Sequence, residues 1–409
     1  MMNALSGAPW LSAMARVFDQ AGAPLYIVGG AVRNPLMGLP ISDVDVCGPA
    51  RPEDVCAFCE GTGIRAHLRA AHFGTVELHI TDEAGAHHMA EYTTWREDSY
   101  RCGHRPESVK FTTDIRVDAA RRDFSVNALY RRVHDGWLED VIDPTGGLRH
   151  MRLGVLHTVT RDPDRVLGDD GLRILRAARF QAEMDLKPTQ PLLESLERNA
   201  HLLGDIACER LRDELQKVLM ADLRYPMLRR RTPATASGLR TIRDCGAWET
   251  LFGGMAYDGA AVDALIRLRG TLPERMALLL QDAQNVEANM LRMRFSTREA
   301  RQAADCIRAM QPLPLFDLVK LGREAVSSAS RCLRALGDER FARLDALLAS
   351  GTPMSLRELC VSGNDLKPVF EAQSRPLREM GQELERLWRG VVEGAWPNER
   401  GALLRQAER

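Results

Sequence analysis

The 409-residue sequence has little lysine: five of its 55 basic residues are lysine and the rest arginine, so its cationic chemistry is almost all guanidinium. Aromatic residues are only 6%, and no apolar run approaches the roughly 18 residues needed to cross a bilayer. The first residues lack the basic-then-apolar layout of an export signal, which predicts a cytoplasmic protein. Net charge is nearly absent as well, at −1. No field of the whole molecule draws it to a polyanion, and any nucleic-acid site must come from local clustering. The nine cysteines are odd in number and scattered, which excludes a disulfide framework. Cys56 and Cys59 have metal-ligand spacing, but no second CxxC follows, and two thiols on a helix face is the simpler reading.

What remains is an ordinary globular composition, 45% hydrophobic and 27% charged, in a chain long enough for two or three domains. Short β-like runs at 24–28, 75–80, 89–95 and 137–142 are bounded by Gly, Asp or His turns, so the first 150 residues predict a mixed α+β unit. Beyond about residue 160 the apolar spacing becomes helical, as at Leu211, Leu215, Val218 and Leu219. Pro/Gly-rich breaks divide the chain into 1–150, 151–230, 231–315 and 316–409.

The chemistry begins at YIVGGAVRN. An apolar strand runs into Gly29 and Gly30, where bare backbone amides can approach a phosphate, and Arg33 adds charge one turn later. Ser42, Asp43 and Asp45 follow. On a strand the two aspartates share a face and can hold Mg²⁺ on substrate phosphates, as nucleotidyl transfer requires. A turn glycine pair before a solvated acidic strand end is the ordinary reading of either half. Glu91, in a later strand-like run, supplies a third carboxylate. The segment ARRDFSVNALY then offers Arg122 for phosphate, with Asp123 and Asn127 four apart on a predicted helix face for ribose hydroxyls.

These blocks, GGAVRN…DVD, EYTTWR, RRDFSVNAL, DPTGGLRHMR and DDGLRILRAARF, resemble in order those of bacterial class II tRNA nucleotidyltransferases, whose head is shared with bacterial poly(A) polymerases. The resemblance continues through ERLRDELQKVL and LRMRFSTRE toward the C-terminus. It implies a polymerase-β-like nucleotidyltransferase head followed by an all-helical neck, body and tail. The activity implied is Mg²⁺-dependent, template-independent addition of C, C and A to tRNA from CTP and ATP. A CC-adding, A-adding or poly(A) enzyme is the narrower alternative, and a silent RNA-binding relative the remaining one.

The family's Glu-Asp-x-x-Arg motif corresponds to Asp169, Asp170 and Arg173. Cytosine and adenine present an amino donor beside a ring-nitrogen acceptor; uracil and guanine present the reverse. A carboxylate beside a guanidinium satisfies the first two bases and leaves polar groups unpaired against the others, at about 1–3 kcal/mol per group. Asp170 and Arg173, three apart on a predicted helix, would form that pair. Arg176 and Arg179 continue as nucleotide contacts, while Arg224 and residues 229–231 are candidates for tRNA. Three features depart from the family or need setting aside. Asn34 stands where an aspartate is usual, and Asp169 is one methylene shorter than the family's glutamate. Residues 274–282 carry no HD-type hydrolase motif, and the only His-Asp pair, at 134–135, reads as a hairpin turn. The segment 96–109, between the third carboxylate and the arginine block, reads as a polar loop.

Overall fold

The computed structural model describes residues 5–41, 43–100, 107–134, 136–228, 234–253 and 255–409. It divides into two compact units that part at residue 254.

Nine strands form the frame of the first unit: β1 (Leu25–Val28), β2 (Asp45–Gly48), β3 (Arg65–Ala70), β4 (Thr75–Thr81), β5 (His87–Thr94), β6 (Arg96–Ser99), β7 (Ser108–Phe111), β8 (Tyr130–His134) and β9 (Trp137–Ile142). Seven of them make one mixed sheet in the order β3-β4-β5-β2-β1-β8-β9. Only β2 and β5 run parallel, with Asp45 opposite Glu91 and Cys47 opposite Thr93. The predicted strands are all present. The segment 96–109 is not simply a loop, because β6 and β7 pair as an antiparallel hairpin, Arg96 with Phe111 and Ser99 with Ser108; Arg101 and Arg105 lie outside the described residues. His134 does end β8 at a turn into β9; Asp135 lies outside the described residues.

Alternation gives the sheet two different faces. Val46, Val76, Leu78, Ala90 and Tyr92 point into the main core, under α1 (Pro9–Gln20) and α3 (Pro52–Cys59). Cys56 and Cys59 are on α3 as helix-face thiols, and the burial around each raises its thiol. The opposite face of β1 and β2 packs Val28 and Cys47 against Trp95, Tyr130 and Val166 in a second, smaller core. Helix α2 (Gly30–Leu36) leaves β1 directly, α4 (Ile115–Ala120) precedes the arginine block, and α5 (Gly147–Leu153) follows β9.

The chain then turns helical, with α6 (Pro163–Asp169), α7 (Arg173–Met184), α8 (Gln190–Asn199), α9 (Cys208–Leu219), α10 (Ala221–Arg224), α11 (Ala234–Asp244) and α12 (Ala247–Phe252). Helix α11 crosses close to α7 and α9 at Gly238, where a Cβ would meet Ala178 O and Val218 Cγ1, each at 2.9 Å. Two-residue strands Val155–Leu156 and Lys187–Pro188 pair in parallel, a small exception to the expected all-helical neck.

The second unit contains only helices among its described residues, from α13 (Gly259–Ala264), α14 (Leu272–Leu279), α15 (Val286–Arg292) and α16 (Thr297–Met310) through α17 (Leu315–Lys320), α18 (Gly322–Leu336) and α19 (Phe341–Ala349) to α20 (Gly363–Ala372), α21 (Met380–Val392) and α22 (Arg400–Ala407). Helix α14 covers residues 274–279 of the stretch read as lacking a hydrolase motif, and 280–282 form a turn. Its Glu274 is almost wholly buried, closing a capping box on Thr271 N–H (2.9 Å) and accepting from Ser328 Oγ (2.7 Å) and Arg331. No helix among the described residues is long and apolar enough to cross a membrane.

Candidate nucleotide site

Two adjoining cavities of about 310 and 340 Å³ in the first unit share Gly30, Asp45, Asn127 and Arg176. One wall is the β1–α2 turn. Gly29 caps α2 at φ 64°, ψ −121°, a conformation reserved for glycine. A Cβ at Gly30 would meet only the Arg33 guanidinium, at 3.7 Å, so the backbone at Gly30 lies open to both cavities.

The acidic side stands opposite. Asp45 opens β2, while Asp43 precedes the strand, so the two aspartates are not strand neighbours of one face as the DxD spacing predicts; both nevertheless line the second cavity. Ser42 lies outside the described residues. The surrounding protein raises the Asp45 carboxyl, Arg122 opposes that, and Asp43 adds to it. Burial and the neighbouring Asp45 and Glu77 raise Glu91 likewise. Crowded carboxylates that hold their protons too tightly are what a cation would relieve. No three acidic, histidine or cysteine side chains converge as a metal cluster among the described residues. The two carboxylates of Asp43 and Asp45 on one cavity are a donor set that suits Mg²⁺, which is commonly bound through one or two carboxylates together with substrate phosphates and waters.

The arginines fill the space between. Arg33 is nearly buried, donates to Asn127 Oδ1 and to Asn34 Oδ1 (2.9 and 3.1 Å), and is lowered to about 10 by burial and by Arg179, remaining a cation at neutral pH. Asn34 explains its own departure from the aspartate: its Oδ1 holds Arg33 while its Nδ2 donates to Pro40 O at 2.8 Å, a bond no carboxylate can donate. Arg33, Arg176 and Arg179 all lie over the Phe180 ring, at 5.1, 5.4 and 4.6 Å from its centroid. Arg176 also pairs with Asp123 (2.6 Å) and Arg179 with Glu214 (2.6 Å). Burial works against ionised Asp123, yet Arg176 and Arg173 hold it far below the ordinary carboxylate range.

Asp123 and Asn127 do not share a helix face. Phe124 between them is extended, and residues Ser125–Asn127 form a single 3₁₀ turn. They still meet, Asn127 Nδ2 donating to Asp123 Oδ1 at 3.2 Å. Helix α5 braces this turn: Asp143 caps its N-terminus, and Gly147 lets it lie so close that a Cβ there would fall 2.2 Å from Ser125 O. Arg122 lines the cavity but is anchored on Asp118 (2.9 Å) and Tyr130 Oη (2.9 Å).

The predicted helical pair of Asp170 and Arg173 requires a larger correction. Helix α6 ends at Asp169 and α7 begins at Arg173, so the i, i+3 argument fails. The chain bends because Asp170 Oδ1 accepts from Leu172 N–H (3.1 Å) and its carbonyl from Arg173 N–H (2.9 Å). Gly171 fills the bend, where a Cβ would meet Leu202 at 2.9 Å. Both side chains nonetheless line the first cavity. Arg173 is nearly buried and held by two carbonyls, Val166 O at 2.9 Å and Arg121 O at 2.7 Å, with Asp169 only at 3.8 Å. The shorter Asp169 is therefore a loose contact, and backbone oxygens orient the guanidinium. Two of its five N–H groups are used, leaving donors for a ligand.

Residues 25–157 match the family described as Poly A polymerase head domain, and 185–230 the one described as Probable RNA and SrmB-binding site of polymerase A. The CCA-adding enzyme of Lacticaseibacillus paracasei is 30% identical over 397 residues, spanning 94% of this chain and 92% of the relative. This chain belongs to the CCA-adding enzyme family. The CCA-adding enzyme of Streptococcus sanguinis is similar to the same degree, 30% over 396 residues with the same shares. Among solved structures, the Bacillus stearothermophilus CCA-adding enzyme in complex with CTP superposes with a TM-score of 0.75 at 26% identity, covering 97% of this chain and 96% of that one. The enzyme thus has the expected mixed-sheet head and helical remainder, and it is a nucleotidyltransferase.

Several groups in the enzyme's cleft escape a sequence reading. Arg210, from α9, lines the first cavity and donates to Asp170 Oδ2 at 2.7 Å. Phe180 and Tyr225 line the second, with Glu183 behind Arg179 and Arg224. Only the Arg179–Glu183 spacing of four could have indicated any of these in advance. Arg224 is a cleft residue, joined to Glu183 at 3.2 Å; residues 229–231 lie outside the described residues.

Proposed function

We propose that the enzyme adds C, C and A to the 3′ end of tRNA from CTP and ATP, with protein side chains in place of a template. The observation that carries this reading is one cleft lined at once by Asp45, the glycine turn, the arginine set, Asp170 and Arg173. The names of its relatives, and the CTP bound in the Bacillus structure, support it. Arg33 and Arg176 are cations placed to receive the triphosphate. Asp123 and Asn127 present oxygen and amide groups to the ribose. Asp170 offers a carboxylate oxygen to the exocyclic amino group of C or A, and Arg173 an N–H to the adjacent ring nitrogen. Asp43 and Asp45 would hold Mg²⁺, with Glu91 beside them; when bound, the ion neutralises charge on the reacting phosphate and favours attack by the RNA 3′-hydroxyl. On this reading residues 1–150 are the catalytic head, 151–230 the neck that reads the base, 231–315 the body, and 316–409 a tail that holds tRNA by shape and phosphate. On the same reading it works in the cytoplasm, beside the tRNA and nucleotides it would use.

Purified enzyme with Mg²⁺ and tRNA ending at the discriminator base, at C or at CC, given each labelled nucleotide separately, tests the reading. C should extend the first two ends and A the third; extension by UTP or GTP, or by one step alone, would refute the full activity.

A further inference from the structure

In-register partners on neighbouring strands share a face. From the acidic side of the cleft, one such row crosses four strands outward: Asp45 on β2, Glu91 on β5, Glu77 on β4 and His67 on β3, the edge strand. The face that carries the catalytic carboxylates therefore continues, without a step, to the margin of the sheet.

Its character changes along the way. Over β1 and β2 this face is covered by the second core, but over β3, β4 and β5 it is open: Arg65, His67 and Arg69 are exposed, and Met89 retains 55% of its surface. Charge changes in the same direction. Arg69 grips Glu77 through two hydrogen bonds, 2.6 and 3.0 Å, and holds that carboxyl down at about 2. The negative charge of the row is thereby closed off beyond Glu91, and the outer strip is cationic through Arg65, with His67 and His79 in edge-to-face contact (ring centroids 5.6 Å).

Guanidinium groups spaced along an edge, beside imidazole rings and an exposed thioether, suit single-stranded RNA: the first bind phosphates and the second give bases a surface to stack on. We infer that the open face of β3, β4 and β5 seats the last nucleotides of the RNA being extended and directs the 3′-hydroxyl toward Glu91 and Asp45. This inference rests on the tRNA reading above, which supplies the strand, and adds the place where the strand lies.

The test uses the full-length enzyme with tRNA lacking CCA. Arg65→Glu should raise the KM for tRNA by ~fivefold at low salt, leave the KM for CTP as it was, and flatten the salt dependence by about 0.7 per charge removed. Arg65→Lys should restore the tRNA KM, which a merely structural role would not require. Separately, tRNA with 4-thiouridine at its terminal position, irradiated on the wild-type enzyme without nucleotide, should cross-link to residues 65–89. If wild-type enzyme extends the tRNA while Arg65→Glu and Met89→Ala keep its KM and the cross-links fall elsewhere, this inference is overturned and the proposed function stands. If the wild-type enzyme extends no tRNA, the function falls first and the RNA seat with it.

Discussion

The second unit closes buried carboxylates on their neighbours, whereas the first leaves some of its buried charges open to a cleft. In the second unit two buried carboxylates are closed against their own neighbours: Glu274 against the Thr271 cap, Ser328 and Arg331, and Glu383 between Arg386 (2.7 Å) and Arg375 (3.3 Å). In the first, Arg33, Arg173 and Asp123 are just as deeply buried, but they look into a cleft and keep hydrogen-bonding capacity to spare. Burial of a charge therefore says little until its spare donors and acceptors are followed. Closed networks serve the fold, and open ones serve a ligand.

The comparison breaks hardest at Asp45. Asp45→Asn should reduce CTP incorporation roughly 10²–10³-fold, the scale for losing one electrostatic group at a reacting centre. Its melting temperature in the absence of metal should not fall, because the folded protein raises this carboxyl and so disfavours its ionised form. A lower midpoint would place Asp45 among the closed networks.

Arg173→Ala comes next. Misincorporation of UTP and GTP relative to CTP and ATP should rise by about 10–100-fold, the value of one or two unsatisfied groups. Undiminished selectivity would mean that another group reads the base, and Arg210 is the first to examine. Glu274→Ala is the reverse experiment: a loss of about 2 kcal/mol in unfolding free energy, from the cap and its hydrogen bonds, with the KM for CTP unmoved.

The smallest effect is on pH. Asp45 and Glu91 both keep their protons more tightly than ordinary carboxylates and must lose them to receive a cation. Activity should therefore fall as pH falls through a range above the usual carboxylate one, and more Mg²⁺ should move that limb downward, since the ion competes with the proton. Asp118 behaves oppositely. Despite its burial, Arg122 and Arg121 hold it at about 2, so its stabilising ion pairs persist above the unfolded carboxylate value and disappear only as pH drops toward 2. A profile of kcat/KM at two Mg²⁺ concentrations, beside a melting curve at each pH, separates the two.

Much of this was legible in the sequence where local rules apply. Alternating apolar residues marked β4 and β5, and the Gly29–Gly30 pair marked the turn, because both depend on neighbours in the chain. The hairpin of β6 and β7 was not legible: β6 is Arg-Glu-Asp-Ser with no apolar residue, and what ties it down is Asp98 held by Arg96 (2.8 Å) and Arg121 (3.4 Å), the second 23 residues away. Asp170 and Arg173 do line one cavity, but not as helix neighbours, since spacing cannot reveal a helix that stops between them. Phe180 looked like any apolar residue of α7 until three guanidiniums surrounded it. Arg210 was hidden for the same reason, its partner Asp170 lying 40 positions earlier.

The bend at Gly171 has a consequence of its own. Since Leu202 leaves no room there for even one methyl group, the orientation of Asp170 and Arg173 depends on an atom the chain does not have. An alanine at this single point would push the bend away from Leu202 and turn both side chains from their places in the cleft. The geometry of this bend is set by a vacancy rather than by a contact.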